Sequence, residues 1–246
     1  EKIVWGKDVE KMAIQKKTVS PADKKRIVAI YDSTISYNDQ QLGRVLEELE
    51  KKGIREKTMI IVTADHGEEL WDFGKIGHGH SLKHSIVAVP FIIHYPPLFG
   101  SGVNVREGVN VLSILPTILD AVGAPLPDDV QGSSLLPLVQ GIGGGYPRPC
   151  LATQYELAHT IRLENYKLWV GGKGEPSVYD LASKNGENEE VNAKLPTVTR
   201  WLTDCLSTFL IYQDRWRQPR WGVASNHLAA FPADLEQGIG PASIVP

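Results

Sequence analysis

The chain has 246 residues, of which 42% are hydrophobic and 22% charged, and its net charge is −3. This is the balance of an ordinary globular fold, with room for one large domain or a domain plus a small appendage. The slight negative charge gives no electrostatic footing for nucleic acid, and no apolar run approaches the ~20 residues of a membrane-spanning helix. Two cysteines, Cys150 and Cys205, are too few for a disulfide framework; they either pair once or stay reduced.

Residues 1–19 begin on Glu1, are lysine-rich and lack periodicity. They carry no signal-peptide pattern and read as a connecting segment of a processed or truncated chain. A helix is predicted next. Ser20 is its N-cap, Pro21 its first residue and Asp23 the acid three places after the cap,. Ile27, Ile30, Tyr31, Thr34, Ile35, Leu42, Val45, Leu46 and Leu49 recur at helical spacing and mark one stripe expected to be buried,. Gly53 closes the helix as its C′ residue. Ile60-Ile61-Val62-Thr63-Ala64 is a short β-branched run, predicted as a buried strand,. Residues 70–82 are rich in glycine and aromatics and read as an ordered loop. A second strand is expected over 86–95, with Pro90 near its start, and a helix over 111–122 that Pro116 starts or kinks. Proline and glycine crowd 124–149, and the run 141–145 reads as a joint or exposed loop,. Strands are expected at 151–155, 160–170 and 177–181, with turns at Glu164-Asn165 and Gly171–Gly174, then a helix over 195–212. The tail from 222 lacks periodicity.

The strand at 60–64 stops on Asp65-His66-Gly67-Glu68-Glu69. A carboxylate and an imidazole at the carboxyl edge of a sheet stand where α/β folds bind ligands. Side by side they can supply an oxygen and a nitrogen to one divalent cation, Mn, Zn or Fe as readily as a hard ion. The plain alternative is an exposed Asp-His turn closed by Gly67. Glu68 and Glu69 read as a polar helix start. Gly77-His78-Gly79-His80 is the second cluster, with His84 four residues later. His78 is a candidate donor to an anionic substrate or the acid that protonates a leaving group. His80 is a candidate substrate contact, and Lys83 a candidate partner for an anion; a surface loop is the alternative for all three. The hydrolytic zinc pattern His-x-His-x-Asp-His is not met. Arg215, Arg217 and Arg220 alternate with Trp216 and Trp221, as an anion site or, more simply, as arginines stacked on indoles. No Gly-x-Gly-x-x-Gly, P-loop or Gly-x-Ser-x-Gly pattern occurs.

In this order and spacing the motifs resemble the sulfatase family of the alkaline phosphatase-like superfamily, from about Ala29 to Leu181. The carrying stretches are 37–46, the metal-strand end 61–68, the loop 77–82 with strand 89–93, the helix 112–119, Gln131–Leu136, Tyr166–Leu168 and Val178–Leu181. The resemblance implies an α/β fold: a three-layer αβα arrangement with a mostly parallel sheet over 1–140, and a small antiparallel subdomain with one helix over 141–246. It implies hydrolysis of a small anionic sulfate ester, Asp65 and His66 on a divalent metal, and His78 on the sulfate or leaving oxygen. Calcium comes first by family, with Mn, Zn or Mg as alternatives. A periplasmic or secreted setting rests on family habit alone.

Two departures qualify this. The formylglycine motif Cys/Ser-x-Pro-x-Arg is absent, and Tyr146-Pro147-Arg148-Pro149-Cys150 has the wrong order. By the resemblance, the nucleophile and the remaining metal acids belong upstream of Glu1, so the isolated chain is expected to have negligible turnover. Lys83-His84 replaces the Tyr-Glu or Tyr-Asp common in the family loop. Other readings are a phosphodiester, phosphonate or phosphoglycerol-transfer relative, and a non-catalytic binding half-domain.

Overall fold

The computed structural model describes residues 19–128, 130–142, 148–154, 158–171 and 175–217. The chain divides into two compact units, Glu1–Cys150 and Leu151–Pro246.

The first unit opens with α1 (Pro21–Lys51). The Ser20 hydroxyl accepts from the Asp23 amide at 3.1 Å, satisfying one of the orphan donors of the first turn,. At the other end Gly53 takes φ 64°, and the Ile54 amide reaches back to the Leu49 carbonyl at 3.1 Å,. The predicted apolar stripe is present, but within α1 only Ile27 is fully buried; Ile35 is 54% exposed and Val45 56%. Ile27 packs with Ile76 against Val19, Leu70 and Trp71.

Strand β1 (Ile60–Thr63) follows. The stretch 70–82, expected as loop, takes part in a short hairpin of β2 (Glu69–Leu70) and β3 (Ile76–Gly77), paired Glu69↔Gly77 and Leu70↔Ile76. The helix start expected at Glu68-Glu69 is not formed: Glu69 opens β2 and Glu68 precedes it as irregular chain. The second predicted strand begins late. His84–Val87 is one helical turn, α2, and β4 is Phe91–His94. Pro90 has no N–H and biases its predecessor away from helix, so it separates turn from strand. β4 pairs antiparallel with β1, Ile61 opposite Ile93. A 3₁₀ turn at Val111–Ser113 leads into α3 (Ile114–Ala121), where Pro116 lies in the first turn and is buried. The short helix α4 (Leu136–Val139) was not apparent from the sequence. Thr117 ties it to α3: its hydroxyl donates to the Ser113 carbonyl at 2.6 Å and accepts from the Leu135 amide at 3.0 Å.

The second unit is built on a sheet in the order β5 (Cys150–Gln154), β6 (Ala158–Leu163), β7 (Tyr166–Gly171), β8 (Ser177–Asp180). β6, β7 and β8 are joined antiparallel, and Glu164 turns the first hairpin at φ 50°. Helix α5 (Pro196–Arg217) contributes Leu202 and Leu206 to a core with Ile161, Leu163, Leu168, Val178 and Val191. The α/β class and the small antiparallel sheet are as expected. The registered pairs among the described residues are antiparallel, so the parallel strands implied by the resemblance are not among them. Neither cysteine forms a disulfide. Arg220, Trp221 and the tail lie outside the described residues, as do the side chains of Arg215, Trp216 and Arg217.

Within the second unit Lys167 on β7 donates to Glu187 at 2.6 Å, with both side chains at most 2% exposed. Removing one partner strands a buried charge, whereas removing both does not. Lys167→Met should cost about 3–5 kcal/mol in urea unfolding. Lys167→Met combined with Glu187→Leu should recover most of that loss.

Candidate active site

The turn after β1 is fixed from outside. The Gly67 amide donates to the Ile86 carbonyl of α2 at 2.7 Å. A Cβ on Gly67 would run into the Ser85 carbonyl oxygen. Only glycine allows the two backbones to come this close, and the approach locks the Asp65-His66 turn onto α2.

Within the turn, an Asp65 carboxylate oxygen accepts from the His66 amide at 2.9 Å. This bond, then the His66 charge, holds the Asp65 carboxyl below its ordinary value of 3.8,. Any stability from this shift is in force above the unfolded-state value and is lost as pH falls through the lower folded one. The Asp65 side chain is 88% exposed and that of His66 41%.

Each of the three imidazoles meets an acceptor from the segment 67–69. His66 Nδ1 lies 2.9 Å from the Gly67 carbonyl. A carbonyl only accepts, so Nδ1 carries a proton, and Nε2 is the ring nitrogen that the carbonyl does not engage,. His78 Nδ1 lies 3.1 Å from Glu68 Oε2, and the Glu68 side chain is 12% exposed. His80 Nε2 lies 2.8 Å from Glu69 Oε2, and Glu69 is wholly buried. Successive acceptors at 67, 68 and 69 thus hold His66, His78 and His80. The rings of His66 and His78 meet at 4.1 Å between centroids, tilted by 37°. The Gly-His-Gly-His loop therefore folds back over the Asp-His turn. Lys83 caps α2 by backbone, and its Nζ sits 4.8 Å over the Phe73 ring.

The donor set can be tested against a divalent cation. His66 Nε2 lies 3.7 Å from Asp65 Oδ2, a span over which both can reach one ion. A histidine whose other nitrogen is tied to a backbone carbonyl is the usual form of a metal-ligating imidazole. The pair fits as two ligands. Among the described residues no cluster of three or more His, Cys, Asp or Glu forms a metal-holding group. Glu68 and Glu69 were not anticipated as site residues. Their sequence signal was two acids directly after Asp-His-Gly, matching two histidines about ten residues on.

Comparisons with known proteins bear on the family likeness and on the fold. The Sulfatase family model matches residues 7–124, and the model for the C-terminal part of N-sulphoglucosamine sulphohydrolase matches 78–194. Arylsulfatase K of Bos taurus is 29% identical over 207 residues, 76% of this chain and 37% of that protein. The phosphonate monoester hydrolase of Silicibacter pomeroyi superposes with a TM-score of 0.69 at 22% identity, covering 89% of this chain and 51% of that one. A 2-O GAG sulfatase superposes with a TM-score of 0.68 at 20% identity, covering 90% and 48%. These superpositions carry the fold, which is the alkaline phosphatase-like α/β fold. The chain is similar to the sulfatase family over residues 7–124. It spans 37% of the length of bovine arylsulfatase K.

Gly67→Ala should push the Asp65-His66 turn off α2. Hydrogen exchange should then show early loss of protection at the residue 67 amide, with the amides of β6 and β7 unchanged.

Proposed function

We propose that this chain carries part of the active centre of a metal-dependent sulfuric ester hydrolase. Asp65 and His66 are two of the metal's ligands, and His78 faces the ester. The observation that supports this best is the stacking of His78 on His66, with each ring's Nδ1 already engaged. That arrangement leaves Nε2 of His66 for the cation and Nε2 of His78 for the substrate.

A divalent cation at this place supplies Lewis-acid charge to the sulfate oxygens; calcium is the first choice by family, with Mn, Zn or Mg as alternatives. His78 donates a hydrogen bond to an anionic ester oxygen, or gives its proton to the departing alkoxide or phenoxide. Glu68 orients the ring and compensates the imidazolium charge. Lys83 adds a cation nearby. His80, with Nε2 on a buried carboxylate, is better suited to hold the loop than to touch substrate.

No nucleophile is assigned, because the formylglycine motif is not among the 246 residues. Apolar side chains are left exposed on α1, at Ile35 and Val45, and on β4, at Ile92. This suits a chain that is one portion of a larger α/β domain, with the small antiparallel sheet as its C-terminal subdomain. A phosphonate or phosphodiester ester is the second reading, favoured by the likeness to the phosphonate monoester hydrolase. The two substrate classes share a tetrahedral anionic centre.

Two measurements test the proposal. Mn²⁺ added to the labelled chain should broaden the NMR signals of His66 before those elsewhere, and Asp65→Ala or His66→Ala should weaken binding on the order of 100-fold or more. Equal broadening in the variants removes the metal site. The chain alone should hydrolyse no aryl sulfate above background. Metal-dependent turnover abolished by Asp65→Ala would show that the centre is complete without further residues.

A further inference from the structure

We infer that Glu69 is a positioning residue, whose buried carboxylate fixes the loop that presents His78. This deepens the reading above and rests on His78 being the group that faces the ester.

His78 stands between two glycines in the left-handed region, Gly77 at φ 92° and Gly79 at φ 79°. Such a segment is conformationally loose unless it is tied. Glu69 ties it on both sides. Before His78, the backbone of Glu69 is paired with that of Gly77 in the β2–β3 hairpin. After His78, one carboxylate oxygen takes His80 Nε2 at 2.8 Å and the other accepts from the Ser81 hydroxyl at 2.6 Å. Ser81 Oγ in turn accepts from the Lys83 amide at 3.4 Å, joining the loop to the cap of α2.

The Glu69 side chain is 1% exposed and that of His80 25%. A carboxylate withdrawn from water is costly unless hydrogen-bonded, and an apolar side chain of the same size would fill the space without that cost. What the carboxylate adds is two acceptors pointed at two successive loop residues. An ionised carboxylate only accepts, whereas an amide has one accepting oxygen and one donating nitrogen. Gln at 69 therefore cannot serve both His80 Nε2–H and Ser81 O–H. One tether must reverse or break, and the His78 ring loses its fixed place against His66.

The experiment uses the full 246-residue chain, ¹⁵N- and ¹³C-labelled, and reads ring nitrogens and ring protons of His66, His78 and His80 by NMR. In the unmutated chain His80 should be protonated at Nε2, and the ring protons of His78 should carry the ring-current shift of His66. In Glu69→Gln the Nε2–H signal of His80 should be lost or moved to Nδ1, and the His78 shift should collapse. The methyl signals of Ile27 and Ile76 should stay in place, which a merely structural loss would not allow. Ser81→Ala leaves Glu69 intact and removes one tether; it should move His78 in the same direction by less, and it decides the matter if Glu69→Gln disturbs Ile27 and Ile76. Imidazole signals of both variants superimposable on those of the unmutated chain overturn the inference. Failure of the site reading shows elsewhere, in the Mn²⁺ titration of the unmutated chain.

Discussion

One backbone hydrogen bond, from the Gly67 amide to the Ile86 carbonyl, sets the geometry of the site. It joins the end of β1 to the helical turn beyond the glycine-histidine loop, and so closes a ring of chain around residues 67–86. His78, His80, Glu68 and Glu69 lie on that ring, and Asp65 and His66 directly precede it. The bond demands that two backbones pass at a distance no side chain permits, which is why glycine and no other residue occupies position 67,. With the ring closed, His78 is brought back over His66 although twelve residues separate them.

The ring is braced from within by the short hairpin. Trp71 turns that hairpin at φ 73°, a conformation bulky residues avoid. It is held there by its N–H, which donates a hydrogen bond to the Lys75 carbonyl at 2.7 Å, by packing with Ile27 and Ile76 and by Lys24 over its ring at 5.0 Å. The hairpin thereby hangs on α1, and Glu69 and Gly77 are delivered opposite each other. Ile27, in the second turn of α1, thus contributes to where the imidazoles stand. The second unit is organised differently. Its sheet packs α5 through an apolar core, with the enclosed Lys167–Glu187 pair and the Asn192 side chain bonded to the Val178 amide and the Pro176 carbonyl. Its chemistry is that of a stable support.

The division of polar work among neighbouring residues is the most instructive feature of the site. Asp65 and His66 are exposed and hold donors outward, while Glu68 and Glu69, one and two residues past Gly67, turn inward and take imidazoles. The exposed pair suits a ligand from outside, and the covered pair suits a fixed internal geometry. The proposed ester hydrolysis needs charge and proton donors held still before the substrate arrives.

Local chemistry in the sequence determined a good deal. The capped helix from Pro21, the strand ending on Asp65-His66, the helix over 114–121 and the β-hairpin at Glu164 all follow from signals a few residues long, and such signals act on φ/ψ directly. The family likeness, too, was legible in the order of short motifs. The tertiary structure alone decided the rest. The strand expected over 86–95 became a helical turn and a shorter strand, because Pro90 divides it and Ile86 is bound to Gly67. The apolar stripe of α1 is fully buried only at Ile27, since burial depends on what lies opposite a face and periodicity cannot supply that. Glu69 looked like any surface acid beside Glu68. Its role appears only when the loop returns eleven residues later to place His80 and Ser81 within hydrogen-bond reach, a contact governed by the closed ring of chain and by no local propensity.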